Sequence, residues 1–163
     1  MKNKVVRKLK SDETIKSPCI GVCSTGIGDL VCRGCKRFTH EVIQWNSYSN
    51  DEKLTIQNRL DYLLRQVISA RIAIVDELRL KTEMDRLHIR YSAAASPYTW
   101  LFDVLKAGAS QIESLETFGC ESVASKSAKK VTANKRLDFI ALRDEIDADF
   151  FILSSVHYQR YFQ

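Results

Sequence analysis

Apolar residues recur at helical spacing through the middle of the chain. Ile56, Leu60, Leu63, Leu64, Val67, Ile74, Leu78 and Ile89 fall on one broad face at about 3.6 residues per turn. Just ahead, Ser49-Asn50-Asp51-Glu52 has the form of a capping box, a hydroxyl and a carboxylate spaced to satisfy free backbone N–H groups. No Gly or Pro interrupts the stretch from Asp51 to Ser96, which predicts one long helix over 51–91. Ser96-Pro97 starts a second helix, over 98–107, with serine as cap and proline where its missing N–H costs little. Ser110 to Glu113 repeats the capping-box spacing and predicts a short helix over 111–118, stopped by Gly119. Residues 120–134 are small, polar and basic and read as a loop; a last helix from about 135 lines up Phe139, Leu142, Ile146, Phe150 and Leu153. Upstream, Thr39 is the expected N-cap of a short helix over 40–48, and residues 1–16 lack any sustained period and read as a basic, flexible arm. There is no strand alternation beyond a few residues and no internal repeat.

Composition changes this picture little. The 163 residues, 45% hydrophobic, suffice for one domain or for a small module joined to a helical one. The 25 Lys and Arg against 20 Asp and Glu give a net charge of +5, which bears on partners and not on fold. Residues 1–10 hold Lys2, Lys4, Arg7, Lys8 and Lys10 but no apolar run of signal-peptide length. Nothing downstream approaches the ~18–20 apolar residues of a membrane span, so a cytoplasmic protein without membrane contact is expected.

The cysteines carry the chemistry. Cys19, Cys23, Cys32 and Cys35 are spaced C-x3-C, then eight residues, then C-x2-C, whereas Cys120 stands alone and reads as a stray thiol in a loop. In a reducing compartment clustered thiols bind metal more often than they form disulfides. Two close pairs on a short loop can bring four thiolates to the corners of a tetrahedron, a closed set with no position open to substrate or water. Gly21 inside the first pair and Gly34 before the last ligand let backbone N–H groups turn toward sulfur. One metal centre on these four residues is expected, with zinc favoured slightly over an iron–sulfur cluster. Gly26 and Gly28 lack the rest of a phosphate-loop fingerprint. The predicted class is therefore all-α: a small four-cysteine metal knuckle followed by a long helix and a helical bundle or hairpin. The expected division is an arm over 1–16, a metal module over 17–48 and a helical domain over 49–163.

Ser17-Pro18-Cys19, Cys23, Cys32-Arg33-Gly34-Cys35, Arg37, Glu41, Val42 and Trp45 together resemble the YdhL-like family of small bacterial proteins, described as predicted iron–sulfur proteins. The resemblance covers about residues 17–64 and implies a cysteine-ligated metal centre at the four positions; it implies no activity. Lys36 stands where the family more often has glycine, and Phe38 where it often has threonine.

Other patterns have plainer readings. His40-Glu41-Val42-Ile43-Gln44 misses H-E-x-x-H by its second imidazole, and Val42, Ile43 and Trp45 are expected to pack the short helix on the knuckle. Arg65, Arg79, Arg86 and Arg90 would share one side of the long helix, but Asp61, Asp76 and Glu83 share it too, which makes an ion-paired solvated face. Tyr158, Tyr161 and Phe162, flanking Arg160, are expected to anchor the last helix rather than stack on bases. His88 and His157 are isolated and read as structural. The function expected is a non-enzymatic, metal-stabilised binding or adaptor protein docking on a protein or ribonucleoprotein partner, with no small-molecule substrate. RNA would be met through Lys2, Lys4, Arg7, Lys8 and Lys10 of the arm and Lys126, Lys129 and Lys130 of the loop. The alternative is an iron–sulfur protein for electron transfer or sensing.

Overall fold

The computed structural model describes residues 15–123 and 138–163. Lys2, Lys4, Arg7, Lys8, Lys10, Lys126, Lys129 and Lys130 lie outside the described residues. In chain order the elements are α1 (Thr39–Ile43), α2 (Asn50–Ser69), β1 (Ile72–Ile74), α3 (Glu77–Arg86), α4 (Pro97–Gly108), β2 (Cys120–Ser122) and α5 (Phe139–Phe162). The described chain is mostly helical, but β1 and β2 pair antiparallel with Ala73 opposite Glu121, so it is not all-α. No helix among the described residues is long and apolar enough to cross a membrane. The chain divides into two compact units, Met1–Leu63 with Ala148–Gln163, and Leu64–Asp147. The unit that holds the cysteines thus runs past residue 48 and takes in the end of α5.

The helix expected over 51–91 is three elements. α2 opens on the capping box: the Ser49 N–H donates to Glu52 Oε2 at 2.8 Å and the Glu52 N–H to Ser49 Oγ at 3.3 Å. Its apolar face buries Leu54, Ile56, Leu60, Leu63, Leu64, Val67 and Ile68, each worth about 1.5–3 kcal/mol of transfer free energy. It ends at Ser69 because Ile72-Ala73-Ile74-Val75 is rich in β-branched side chains, which lose rotamer freedom in a helix and suit a strand. These residues find a partner in β2, and the Val75 and Asp76 N–H groups both donate to Gly119 O, at 2.9 and 3.0 Å. Asp76 then caps α3, its Oδ1 accepting from the Arg79 N–H at 2.9 Å.

The break redistributes residues assigned to one face. Leu80 and Met84 supply the buried side of α3, and Leu78 is exposed. The arginines form no continuous stripe. Arg65 stays on α2, with its guanidinium 6.0 Å from the Tyr98 ring centroid; Arg79 donates to Thr117 O at 3.0 Å; Arg86 pairs with Glu83 at 2.7 Å; Arg90 lies beyond the helix.

α4 has the expected start, Pro97 in the first turn behind a Ser96 cap, and buries Trp100, Leu101, Phe102, Val104 and Leu105. The helix expected over 111–118 is instead two single 3-10 turns, Ala109–Gln111 and Glu116–Phe118, with Ile112 extended between them. Gly119 follows at φ 66°, and a Cβ there would lie 2.5 Å from Asp76 O, so both its conformation and its close approach to the α3 cap require glycine.

Cys120 is not a stray loop thiol. It lies in β2 with no exposed surface, and burial pushes its thiol up to about 12. An unfolded chain releases that proton near pH ~8.5, so the folded state holds a proton that the unfolded state has lost. The corresponding stability is complete below about pH 8.5 and is lost as pH rises toward 12, at about 1.4 kcal/mol per pH unit. Cys120→Ala, weaker at neutral pH from lost packing, should lack this decline. Urea unfolding from about pH 8 to 10 should show the two proteins converging; parallel loss in both would remove the assignment.

Candidate metal centre

The second cysteine pair sits on a tight hairpin. Val31 and Phe38 form an isolated antiparallel bridge, the Cys32 N–H donates to Arg37 O, and the Lys36 N–H returns to Cys32 O, both at 2.8 Å. The turn places Lys36 at φ 61°, a left-handed conformation that costs an L-residue roughly 1–2 kcal/mol. Glycine would be unstrained at that position. Gly34 is required for a different reason: a Cβ there would run into the Val22 carbonyl oxygen and touch the Ile20 side chain at 3.0 Å. The missing side chain lets the Cys19–Cys23 loop lie directly on the Cys32–Cys35 hairpin. Ser24 fastens the two, its Oγ accepting the Arg33 N–H at 2.8 Å.

The sulfurs differ in setting. Cys19 and Cys23 are exposed; Cys32 and Cys35 are buried. The Gly21 N–H donates to Cys19 Sγ at 3.4 Å, and Cys23 Sγ lies 3.1 Å from Thr25 Oγ1. Burial pushes the Cys32 thiol up, but backbone N–H groups of Cys35, Ser24 and Gly34, with the Cys35 thiol, outweigh it and bring Cys32 down to about 7. Cys35 goes the other way, raised by burial against the opposing pull of Arg37, whose Nε donates to Cys35 Sγ at 3.3 Å. Among the described residues, no three His, Cys, Asp or Glu side chains stand together so as to hold a metal ion. The structure brings the two loops together and Cys32 beside Cys35, but it does not gather the four thiols around one point. In residue type the set suits a thiolate centre: four sulfur donors on touching loops, with the Gly21 N–H donating to Cys19 Sγ, Arg37 Nε to Cys35 Sγ, and backbone N–H groups that bring the Cys32 thiol down.

Around the hairpin lies a shell of cations and aromatic rings. Lys36 is 1% exposed and Arg37 3% exposed. The Lys36 ammonium lies 5.5 Å from the Phe150 ring centroid, the Arg33 guanidinium 4.9 Å from Phe151 and the Arg37 guanidinium 4.7 Å from Trp45. α1 begins one residue earlier than expected and is shorter, with a 3-10 turn at Trp45–Ser47; Phe38 and not Thr39 is its N-cap. Glu41 accepts the Phe38 N–H at 2.8 Å and binds Arg59 of α2 in a fork at 2.7 and 2.8 Å, and Arg59 in turn lies 3.6 Å from the Phe38 ring centroid. The Glu of the near-match to H-E-x-x-H is therefore a clamp between helices. Trp45 is buried as expected, but Ile43 is 74% exposed and does not pack on the hairpin.

The aromatic end of α5 anchors on this same region. Tyr158 and Phe162 meet the Phe38 ring edge-on at 5.1 and 5.5 Å, and Phe162 lies 5.0 Å from His40, whereas Tyr161 is exposed. Sequence reasoning missed Lys36, Arg37, Glu41 and Arg59 as parts of the site. A charged residue reads as surface unless something announces burial, and the only signal was Arg37 and Glu41 lying close after the last cysteine.

No curated protein and no solved structure matches the chain. Residues 17–63, which hold the hairpin, α1 and most of α2, match the family described as Protein of unknown function (DUF1289).

Proposed function

We propose that Cys19, Cys23, Cys32 and Cys35 together hold one metal ion, and that the chain is a non-enzymatic, metal-stabilised adaptor docking on a protein or ribonucleoprotein partner. The observation that carries this reading is the packing of the Cys19–Cys23 loop directly on the Cys32–Cys35 hairpin, where backbone N–H groups bring the Cys32 thiol down to about 7 and so make thiolate available near neutral pH. A closed thiolate set leaves no place for a substrate, which favours binding over catalysis. Ile20, Val22 and Ile27 beside the cysteines are 62%, 67% and 84% exposed, which supports a partner surface at the same loops. The narrower resemblance to YdhL-like predicted iron–sulfur proteins belongs to this reading, as does a cytoplasmic location.

Protein purified anaerobically should be colourless and contain about one zinc per chain. Iron with matching acid-labile sulfide would move the reading to a redox centre, and metal-free protein with freely titrating thiols would remove it. A partner recovered with the native chain should be lost on replacing Ile20, Val22 and Ile27 by serine with metal content unchanged. Retention of that partner would detach the docking surface from these loops.

A further inference from the structure

We infer that Arg37 is the buried counter-charge of the thiolate centre, an inference that rests on the metal reading above. A guanidinium carries a fixed positive charge, and a charge taken out of water without a partner is strongly unfavourable. Arg37 is 3% exposed. Among the described residues it forms no ion pair with a carboxylate, and its Nη1 is buried without a hydrogen-bond partner. The contrast is Arg59, a largely buried guanidinium whose charge is met by the Glu41 carboxylate in a fork.

Two groups take up what Arg37 offers: the Trp45 ring beneath it and Cys35 Sγ, which its Nε reaches at 3.3 Å. A neutral thiol is a poor acceptor for a buried cation, whereas a thiolate is a good one. A divalent ion held by four thiolates leaves the centre net negative, which supplies the missing opposite charge. The positive charge of Arg37 then offsets repulsion among the sulfurs, and its N–H bond withdraws electron density from Cys35. Arg37 thus acts as a positioning residue, working through Cys35 without touching the metal.

The test uses full-length protein, stripped of metal and reduced, titrated with cobalt and, in competition with a chromophoric chelator, with zinc. R37M keeps an unbranched stem to cover Trp45 but loses the charge; R37K keeps the charge. R37M should bind both ions about 10–100-fold more weakly than wild type, and R37K should stay within about tenfold. At saturating cobalt the sulfur-to-cobalt charge-transfer band of R37M should move to longer wavelength, because a thiolate without its donor gives up an electron more readily. R37M binding like wild type, R37K as weak as R37M, or an unmoved band would each overturn the inference while leaving the metal site standing. If wild type takes up neither ion, the metal reading falls and this one with it. Should R37M not fold, R37K decides: affinity within about tenfold sustains the inference and a loss of about a hundredfold ends it.

Discussion

Cys35→Ser should abolish tight zinc or cobalt binding and unfold the cysteine segment, from Ser17 to about Trp45, while most helical circular dichroism survives. Structural zinc sites contribute apparent free energies of about 10–16 kcal/mol, as large as the roughly 5–15 kcal/mol by which a whole domain is stable. Cys35 is also the sulfur to which Arg37 donates, so the substitution removes a proposed ligand and puts a neutral hydroxyl where a thiolate would meet the buried cation. The unit Leu64–Asp147 has its own buried side chains, among them Leu80, Met84, Leu101 and Leu105, and contains none of the four cysteines. Thermal melts with and without added zinc should show a large metal-dependent increment in wild type and none in C35S. Limited proteolysis should cut C35S within residues 17–45 first. An equal zinc increment in both proteins would remove Cys35 from the ligand set, and loss of all helical signal would show that the units unfold as one.

Glu41→Ala should cost about 3–5 kcal/mol, the usual penalty for leaving a buried charge without its partner. Glu41 is 5% exposed and accepts three hydrogen bonds, one from the Phe38 N–H and two from Arg59. Arg59 already has an unpaired buried Nε, so it has little else to turn to. Removing both charges is a different matter, since apolar pairs of similar volume often replace buried ion pairs without loss. E41L/R59M should therefore be more stable than E41A alone. Urea unfolding of the two variants checks this; a loss below about 1 kcal/mol for E41A would place the pair among surface salt bridges, where such values are ordinary.

What could be read from the sequence was what local chemistry decides. Ser49 and Glu52 cap α2, Ser96 and Pro97 open α4, and both follow from side chains within one turn of the backbone they satisfy. The error over 51–91 came from treating the absence of Gly and Pro as continuity. Ile72 to Val75 could have continued a helix by period, and the pairing that made a strand lies some fifty positions away, at Cys120–Ser122. Asp76, expected as an ion-pairing residue on the side of that helix, instead caps α3. Within the candidate site, cysteine spacing picked out the two sulfur pairs, and Gly21 and Gly34 the backbone that must turn near them. The cations did not stand out, because each is buried by a partner outside its own turn: Lys36 by Phe150 on α5, Arg37 by Trp45, and Arg59 by Phe38 and Glu41.

The packing of Phe38 against Tyr158 and Phe162 also orders events in time. A ribosome makes the hairpin well before the end of α5. Tyr158 follows Phe38 by 120 residues, an interval of roughly 6–24 s at ~5–20 residues per second. Throughout it, the nascent hairpin stands without the Tyr158 and Phe162 rings that later pack on Phe38. Until the end of α5 arrives, Phe38 lacks two of the rings that leave it 2% exposed in the finished fold.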